Sequence, residues 1–298
     1  MKVLNFGSLN IDYVYTVEHF VRAGETLASD KLEHFCGGKG LNQSVAFARA
    51  GADTYHAGCI GAEGAMLTDM LRSAGVDVSL VKVREGVSCG HAIIQVTREG
   101  ENCILLYGGA NQTIDEQLID EALSGFGKGD LLMLQNEINA LDLIIRKAKA
   151  RGMSVALNPS PFNEVIMALD LSLIDYLIIN ETEGCEISGK TEAEQIIAEL
   201  LGRFPRIKLV LTLGSRGALY ADADSRASHG IFKTKVADTT AAGDTFTGYF
   251  FTEIMNGSTP DRALAVASAA SAIAVSRKGA APSIPTGDEV LGAGFDGI

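Results

Sequence analysis

Short apolar runs alternate with amphipathic stretches along most of this chain. Val3–Ser8, Thr54–Ile60, Leu131–Gln135, Ser154–Asn158, Tyr176–Ile179 and Leu209–Leu213 read as strands, several of them apolar on both faces. Strands of that kind sit in a parallel sheet covered by helices on both sides. The helical period marks Leu41–Ala50, Glu63–Ser73, Asp115–Leu123 and Ala140–Arg151, with Gly51, Gly75 and Gly152 as stops. Two longer helices follow near Ala242–Met255 and Pro260–Ser276. Ala263, Ala267, Ala270 and Ala274 fall on one face of the second, which predicts close helix packing. Other segments alternate polar and apolar, as half-exposed antiparallel strands do: Tyr13–Val17, Leu27–Phe35, Cys89–Thr97 and Asn102–Tyr107. The last two are joined by a hairpin turn at Arg98-Glu99-Gly100-Glu101. The expected architecture is a single α/β domain over residues 1–298. A small antiparallel sheet, drawn from about residues 11–35 and 84–108, forms a flap rather than a second folding unit.

Composition narrows the function classes. With 298 residues, 47% of them hydrophobic, the chain can bury a large core. Its net charge of −12 leaves no basic face for a nucleic acid. A nucleotide is still compatible, because a cation and local N–H dipoles neutralise phosphates. The five cysteines form no C-x-x-C pair, and the five histidines show no metal-ligand spacing, so both read as structural or surface residues. The N-terminus enters a strand directly, with no signal-peptide pattern, and no apolar run suits a bilayer span. A cytoplasmic protein is the expectation, without membrane or nucleic-acid partners.

The chemistry-bearing motifs cluster just after expected strands, where open α/β sheets bind ligands. Asp238-Thr239-Thr240-Ala241-Ala242-Gly243-Asp244 feeds a helix start, with Asp244 in the first turn. Helix N-termini carry free N–H groups and partial positive charge, which attract phosphate oxygens. A carboxylate there can accept a proton from an attacking hydroxyl, so the stretch suggests phosphoryl transfer to an alcohol. Asn10 and Asp12 either shape a turn or grip vicinal hydroxyls. Gly37-Gly38-Lys39-Gly40-Leu41-Asn42-Gln43 opens a helix. It is either a glycine turn or a loop bringing Lys39 and Asn42 to a ligand, and it is neither a P-loop nor G-x-G-x-x-G. Glu137 ends a strand and could as well be a surface residue. Asn180-Glu181-Thr182-Glu183 is either a plain acidic helix start or a phosphate- and magnesium-side element. Thr212-Leu213-Gly214-Ser215-Arg216-Gly217 is either a hairpin loop or a nucleotide contact.

Taken jointly, in this order and spacing, these motifs resemble the ribokinase (PfkB-type) carbohydrate kinases, from about Leu4 to Pro285. The Gly-Gly-Lys-Gly form and Arg277-Lys278-Gly279-Ala280-Ala281-Pro282-Ser283 are most similar to the ribose-phosphorylating members. The resemblance implies a three-layer α/β fold with a mostly parallel central sheet and a small antiparallel β lid. It implies Asp244 as catalytic base, with the N–H groups of Ala242, Gly243 and Asp244 as an anion hole. It places the sugar on Asn10, Asp12, Gly38, Lys39, Asn42, Glu137 and Asp244. ATP falls to Asn180, Thr212, Gly214, Ser215, Arg216, Gly217 and Gly243, with Glu183 organising Mg²⁺ through water. Ser268 stands where the family places an adenine-side polar residue, often histidine or asparagine. A K⁺-type ion would sit at Asp238, Thr240, Ala274, Arg277, Gly279 and Ser283. The lid strands would pair two subunits as a homodimer.

The implied activity is transfer of the ATP γ-phosphate to the 5-hydroxyl of D-ribose. Within the same fold, a fructose-type, deoxyribose or nucleoside kinase is the rival. A catalytically silent sugar- or nucleotide-binding regulatory module is an alternative of another class, disfavoured by intact Lys39, Gly243 and Asp244. The missing G-x-G-x-x-G after the first strand disfavours a nicotinamide oxidoreductase.

Overall fold

The computed structural model describes residues 1–295. Its strands are β1 (Lys2–Phe6), β2 (Asn10–Val17), β3 (Lys31–Gly37), β4 (Asp53–Ile60), β5 (Asp77–Val83), β6 (Gly90–Thr97) and β7 (Asn102–Tyr107). They continue with β8 (Leu131–Gln135), β9 (Ser154–Asn158), β10 (Tyr176–Asn180), β11 (Lys208–Thr212), β12 (Ala218–Ala221) and β13 (Arg226–His229). The helices are α1 (Lys39–Arg49), α2 (Ala65–Ser73), α3 (Glu116–Leu123), α4 (Leu141–Ala150) and α5 (Glu164–Met167). After them come α6 (Glu181–Ser188), α7 (Ala193–Arg203), α8 (Ala242–Met255), α9 (Pro260–Val275) and α10 (Gly287–Gly292).

Nine strands form the main sheet in the order β13-β12-β11-β10-β9-β8-β1-β4-β5. All pairings from β11 to β5 are parallel, and β12 and β13 close the edge antiparallel. The two-residue side-chain period of a strand assigns its residues to opposite cores. Val3, Met133, Ile178 and Val210 join α1, α2, α8 and α9 on one face. Leu4, Phe6, Leu132, Leu134 and Leu177 join α3, α4 and α7 on the other. Both faces are covered, as the apolar runs predicted.

The second sheet has the order β3-β2-β6-β7. Its outer pairs are antiparallel, and the central pair β2·β6 is parallel. The expectation of an antiparallel flap is corrected at that one pair. A hairpin can join β6 to β7, but β2 reaches β6 only after the chain has crossed the main domain. β2 follows β1 through Gly7–Leu9, so the flap is anchored beside the carboxyl ends of the main strands.

Several sequence boundaries shift. β2 starts at Asn10, not Tyr13, and the second flap strand starts at Lys31, not Leu27. α2 starts at Ala65, because Glu63 turns its carboxylate to the Cys89 N–H at 2.7 Å. β5 and α7 were not expected from the pattern; β5 is mostly half-exposed and lacks a clear apolar face.

α8 packs along α9 and across α1. The expected alanine face of α9 is fully buried: Ala263, Ala267, Ala270 and Ala274 are each 0% exposed. Where α8 crosses α1, a Cβ on Gly248 would lie 2.4 Å from the Cβ of Ala46. That is far inside contact distance, so only glycine permits this crossing. Gly248→Ala is expected to cost about 1–3 kcal/mol, the usual price of overpacking. Thermal unfolding would then shift down by several degrees, which calorimetry measures.

Candidate active site

The candidate site gathers residues from the turns after β1, β8 and β11 and from the starts of α1 and α8. Its two halves are built by different parts of the chain.

The N-terminal half comes from β2, α1 and the turn after β8. Gly38 caps α1 at φ +92°, a conformation that side-chain-bearing residues avoid, and so turns the chain from β3 into the helix. Ser8 Oγ donates to Glu137 Oε2, and the Lys39 N–H donates to the same oxygen at 3.0 Å. Asn10 is buried, and its Oδ1 accepts from Asn111 Nδ2 at 2.7 Å. Asp12 lies over Gly37, where any Cβ would strike its carboxylate at 2.1 Å.

The C-terminal half is a cleft of about 600 Å³ between the β11–β12 turn and the start of α8. Thr212, Gly214, Ser215, Gly217, Gly243 and Ser268 line it. So do Ile231, Phe232, Val236, Phe246 and Val275, an apolar wall suited to a flat base, together with Lys233. The turn is a hairpin closed by Leu213 N–H to Gly217 O at 2.8 Å, and it forms one wall of the cleft. Arg216 does not line this cleft. Its guanidinium is exposed and pairs with Glu181. Asn180 and Glu183 also stand outside the lining and form a reciprocal capping box at the start of α6.

Asp244 stands between the halves, in the first turn of α8 and nearly buried. Ala241 takes the left-handed conformation at φ 58°, which costs an alanine about 1–2 kcal/mol and turns the chain sharply into the helix. A Cβ on Gly243 would meet nothing within 4 Å, so its backbone faces open space. The N–H groups of Gly243 and Asp244 have no protein acceptor among the described residues. The Ala242 N–H instead turns back to Thr239 O at 3.3 Å. The Asp244 carboxylate accepts from Asn42 Nδ2 at 3.1 Å and Gln43 Nε2 at 2.9 Å.

Charge is concentrated here. Burial works against the Lys39 ammonium, yet Asp244, Glu137 and Glu183 together outweigh it and hold its pKa above the usual lysine range. Burial pushes the Glu137 carboxyl up, while Lys39 and Ser8 oppose the shift. Burial, and then repulsion from Glu137, push Asp12 from 3.8 to about 7.

Next to the helix start, Asp238 bridges two loops. Oδ1 accepts from the Thr240 N–H at 2.9 Å and the Thr240 hydroxyl at 2.6 Å, and Oδ2 accepts from the Gly279 N–H at 3.0 Å. Ser283 is buried and donates to Ala280 O at 2.8 Å. Arg277 brings only its backbone to this region, its N–H bonding Ala274 O, while its guanidinium pairs with Glu289.

The sequence pattern of the pfkB family carbohydrate kinases matches residues 1–287. The chain belongs to this family. It is 35% identical to the ribokinase of Haemophilus influenzae over 96% of this chain and 95% of that one. It is 36% identical to the ribokinase of Staphylococcus aureus, over 97% and 98%. The structure of Arabidopsis thaliana ribokinase complexed with ribose and ATP superposes with a TM-score of 0.88 at 28% identity, covering 99% of each chain. The pfkB-family fold accounts for both sheets and for the cleft at the strand ends.

Sequence reasoning missed the partners of the family's motif residues. Ser8, Gln43, Asn111, Gln135 and Asn158 hold the site from within. Their signal is a polar residue inside an otherwise apolar run, as with Gln135 at the end of Leu131-Leu132-Met133-Leu134.

Because the Asp12 carboxyl is pushed up to about 7, folding favours its protonated form. The resulting loss of stability is absent below about pH 4 and reaches its full size as pH rises through about 7. Asp12→Asn is therefore expected to unfold at a higher temperature than the parent at pH 8. The two melting curves should converge near pH 4. A difference independent of pH would contradict the assignment.

Proposed function

We propose that this chain is an ATP-dependent sugar kinase that transfers the γ-phosphate of ATP to the 5-hydroxyl of D-ribose. The observation that carries this reading is Asp244, held in the first turn of α8 between a polar, carboxylate-rich half-site and a half-apolar cleft. The two curated relatives named above are ribokinases, and the Arabidopsis neighbour was solved with ribose and ATP. Asn10, Asp12, Gly38, Lys39, Asn42 and Glu137 hold the sugar. Thr212, Gly214, Ser215, Gly217 and Ser268 face the nucleotide.

In the reaction the sugar hydroxyl oxygen forms a bond to the γ-phosphorus as the bond to the ADP oxygen breaks. The hydroxyl proton passes to the Asp244 carboxylate, and ADP leaves with the electron pair. The free N–H groups of Gly243 and Asp244 meet the charge on the transferring group, and Lys39 adds a full cation. A flap closed over the sugar excludes water and suppresses idle ATP hydrolysis.

Magnesium, when bound, neutralises the phosphate oxygens. Glu183 fits a role in holding it through water, because only one of its carboxylate oxygens is engaged in the capping box. A potassium-type ion would be held by oxygens alone, from the Asp238 carboxylate, the Ser283 hydroxyl and the carbonyls of Thr240, Ala274, Arg277 and Gly279. Such an ion would stiffen the loop that shapes the anion hole.

The lid supports a homodimer. Ile104, Leu105, Leu106 and Tyr107 of β7 are each at least half exposed, and Phe35 and Leu32 of β3 add apolar surface. A cytoplasmic setting is consistent with five unpaired cysteines. No helix among the described residues is long and apolar enough to cross a membrane.

ADP release measured with ribose, 2-deoxyribose, fructose and adenosine, with and without K⁺, tests the reading. Ribose should give the highest kcat/KM, and equal turnover of fructose or adenosine would refute ribose specificity. Asp244→Ala should lower kcat about 10²–10⁴-fold, the range for loss of a general base, with ATP affinity nearly unchanged.

A further inference from the structure

Behind Asp244 runs a chain of buried side-chain amides that touches neither cleft directly. Gln43 Nε2 donates to Asp244 Oδ1 at 2.9 Å, and Gln135 Nε2 donates to Gln43 Oε1 at 2.6 Å and to Asn5 Oδ1 at 2.9 Å. Asn5 Nδ2 donates to the backbone carbonyl of Gly40 at 2.7 Å and to Ser44 Oγ at 2.8 Å. Asn5, Gln43, Ser44 and Gln135 are all 0% exposed.

The direction of these bonds is not free. A carbonyl oxygen only accepts, so Gly40 obliges Asn5 to present its nitrogen there and its oxygen to Gln135. Gln135 must then present its nitrogen to both Asn5 and Gln43. Gln43 in turn presents its oxygen to Gln135 and its nitrogen to Asp244. Asn158 repeats the constraint: its nitrogen donates to Ile178 O at 3.1 Å, so its oxygen faces Gln43 Nε2 at 3.3 Å.

We propose that Gln135 and Gln43 are positioning residues, a one-directional amide relay that always offers an N–H to Asp244 and holds its carboxylate toward the sugar hydroxyl. The relay rests on the kinase reading for its purpose but not for its existence. Asp244 also accepts from Asn42 Nδ2 at 3.1 Å and interacts electrostatically with Lys39 and Glu137, and none of these three side chains bonds to Gln43 or Gln135.

Gln135→Met keeps the volume and removes both donors, freeing Gln43 to rotate. We expect kcat for sugar phosphorylation to fall about 10–100-fold, the worth of one hydrogen bond to a charged group, with KM for ATP within twofold of the parent. A merely structural role would leave kcat of the folded variant unchanged. In parallel, the side-chain amide protons of Gln43 in a ¹H–¹⁵N spectrum should exchange slowly in the parent and rapidly in Gln135→Met. Should the variant fail to fold, slow exchange of that amide in the parent still supports the relay, and fast exchange there overturns it. A folded Gln135→Met with parental kcat and parental exchange also overturns it. A parent that phosphorylates no sugar removes the kinase reading alone, and the exchange data then decide the relay.

Discussion

The close crossing of α1 and α8 is the constraint on which the rest of this molecule depends. The two helices begin on opposite sides of the reaction centre, one with Lys39 and the other with Asp244. Only the bare Cα of Gly248 against Ala46 brings their axes near enough for Asn42 and Gln43 to reach the Asp244 carboxylate. Phe47, Phe250 and the alanine face of α9 then lock the arrangement by burial. The geometry around Asp244 is thus a packing result before it is a chemical one.

The second organising fact is charge. A chain with net charge −12 would repel ATP if its charges were spread evenly. They are not. The carboxylates of Asp244, Glu137 and Glu183 act on Lys39, and Asp12 lies near Glu137. The nucleotide cleft, by contrast, is lined with glycines, hydroxyls, apolar side chains and Lys233. That cleft thus offers N–H dipoles and a lysine, whereas the carboxylates crowd the neighbourhood of Lys39. The rise of Asp12 to about 7 comes first from its burial and then from the nearby Glu137 carboxylate, and hydrogen bonds donated to the charged form would relieve it.

Much of this was legible in the sequence, for identifiable reasons. The parallel sheet showed itself because strands buried on both faces are apolar throughout, and the catalytic turn because Ala241-Ala242-Gly243 leaves a backbone with nothing to hide it. What could not be read were pairings between distant segments. Nothing local tells Arg216 that Glu181 lies within reach, so their surface ion pair cannot be read from either segment alone. The parallel β2·β6 pair depends on the path through α1, β4, α2 and β5, not on either strand's own residues. β5 escaped notice because its pattern of exposed and half-exposed residues resembles a loop. Gln135 lay in plain view as the polar end of an apolar strand, but its meaning required Asn5 and Gln43 beside it.

Asp238 shows how the site is held from its other flank. Its carboxylate fixes the Thr240 N–H, one residue before the strained Ala241, and also the Gly279 N–H in the loop after α9. The left-handed turn that aims the first N–H groups of α8 into the cleft is thereby tied to a second loop. Strain of that size persists only where the surroundings over-determine it. Asp244 is consequently fixed twice: through its side chain by the amide relay rooted in β1 and β8, and through its backbone by the Asp238 bridge. A carboxylate held from two independent directions has little freedom left to lose when a ligand arrives beside it.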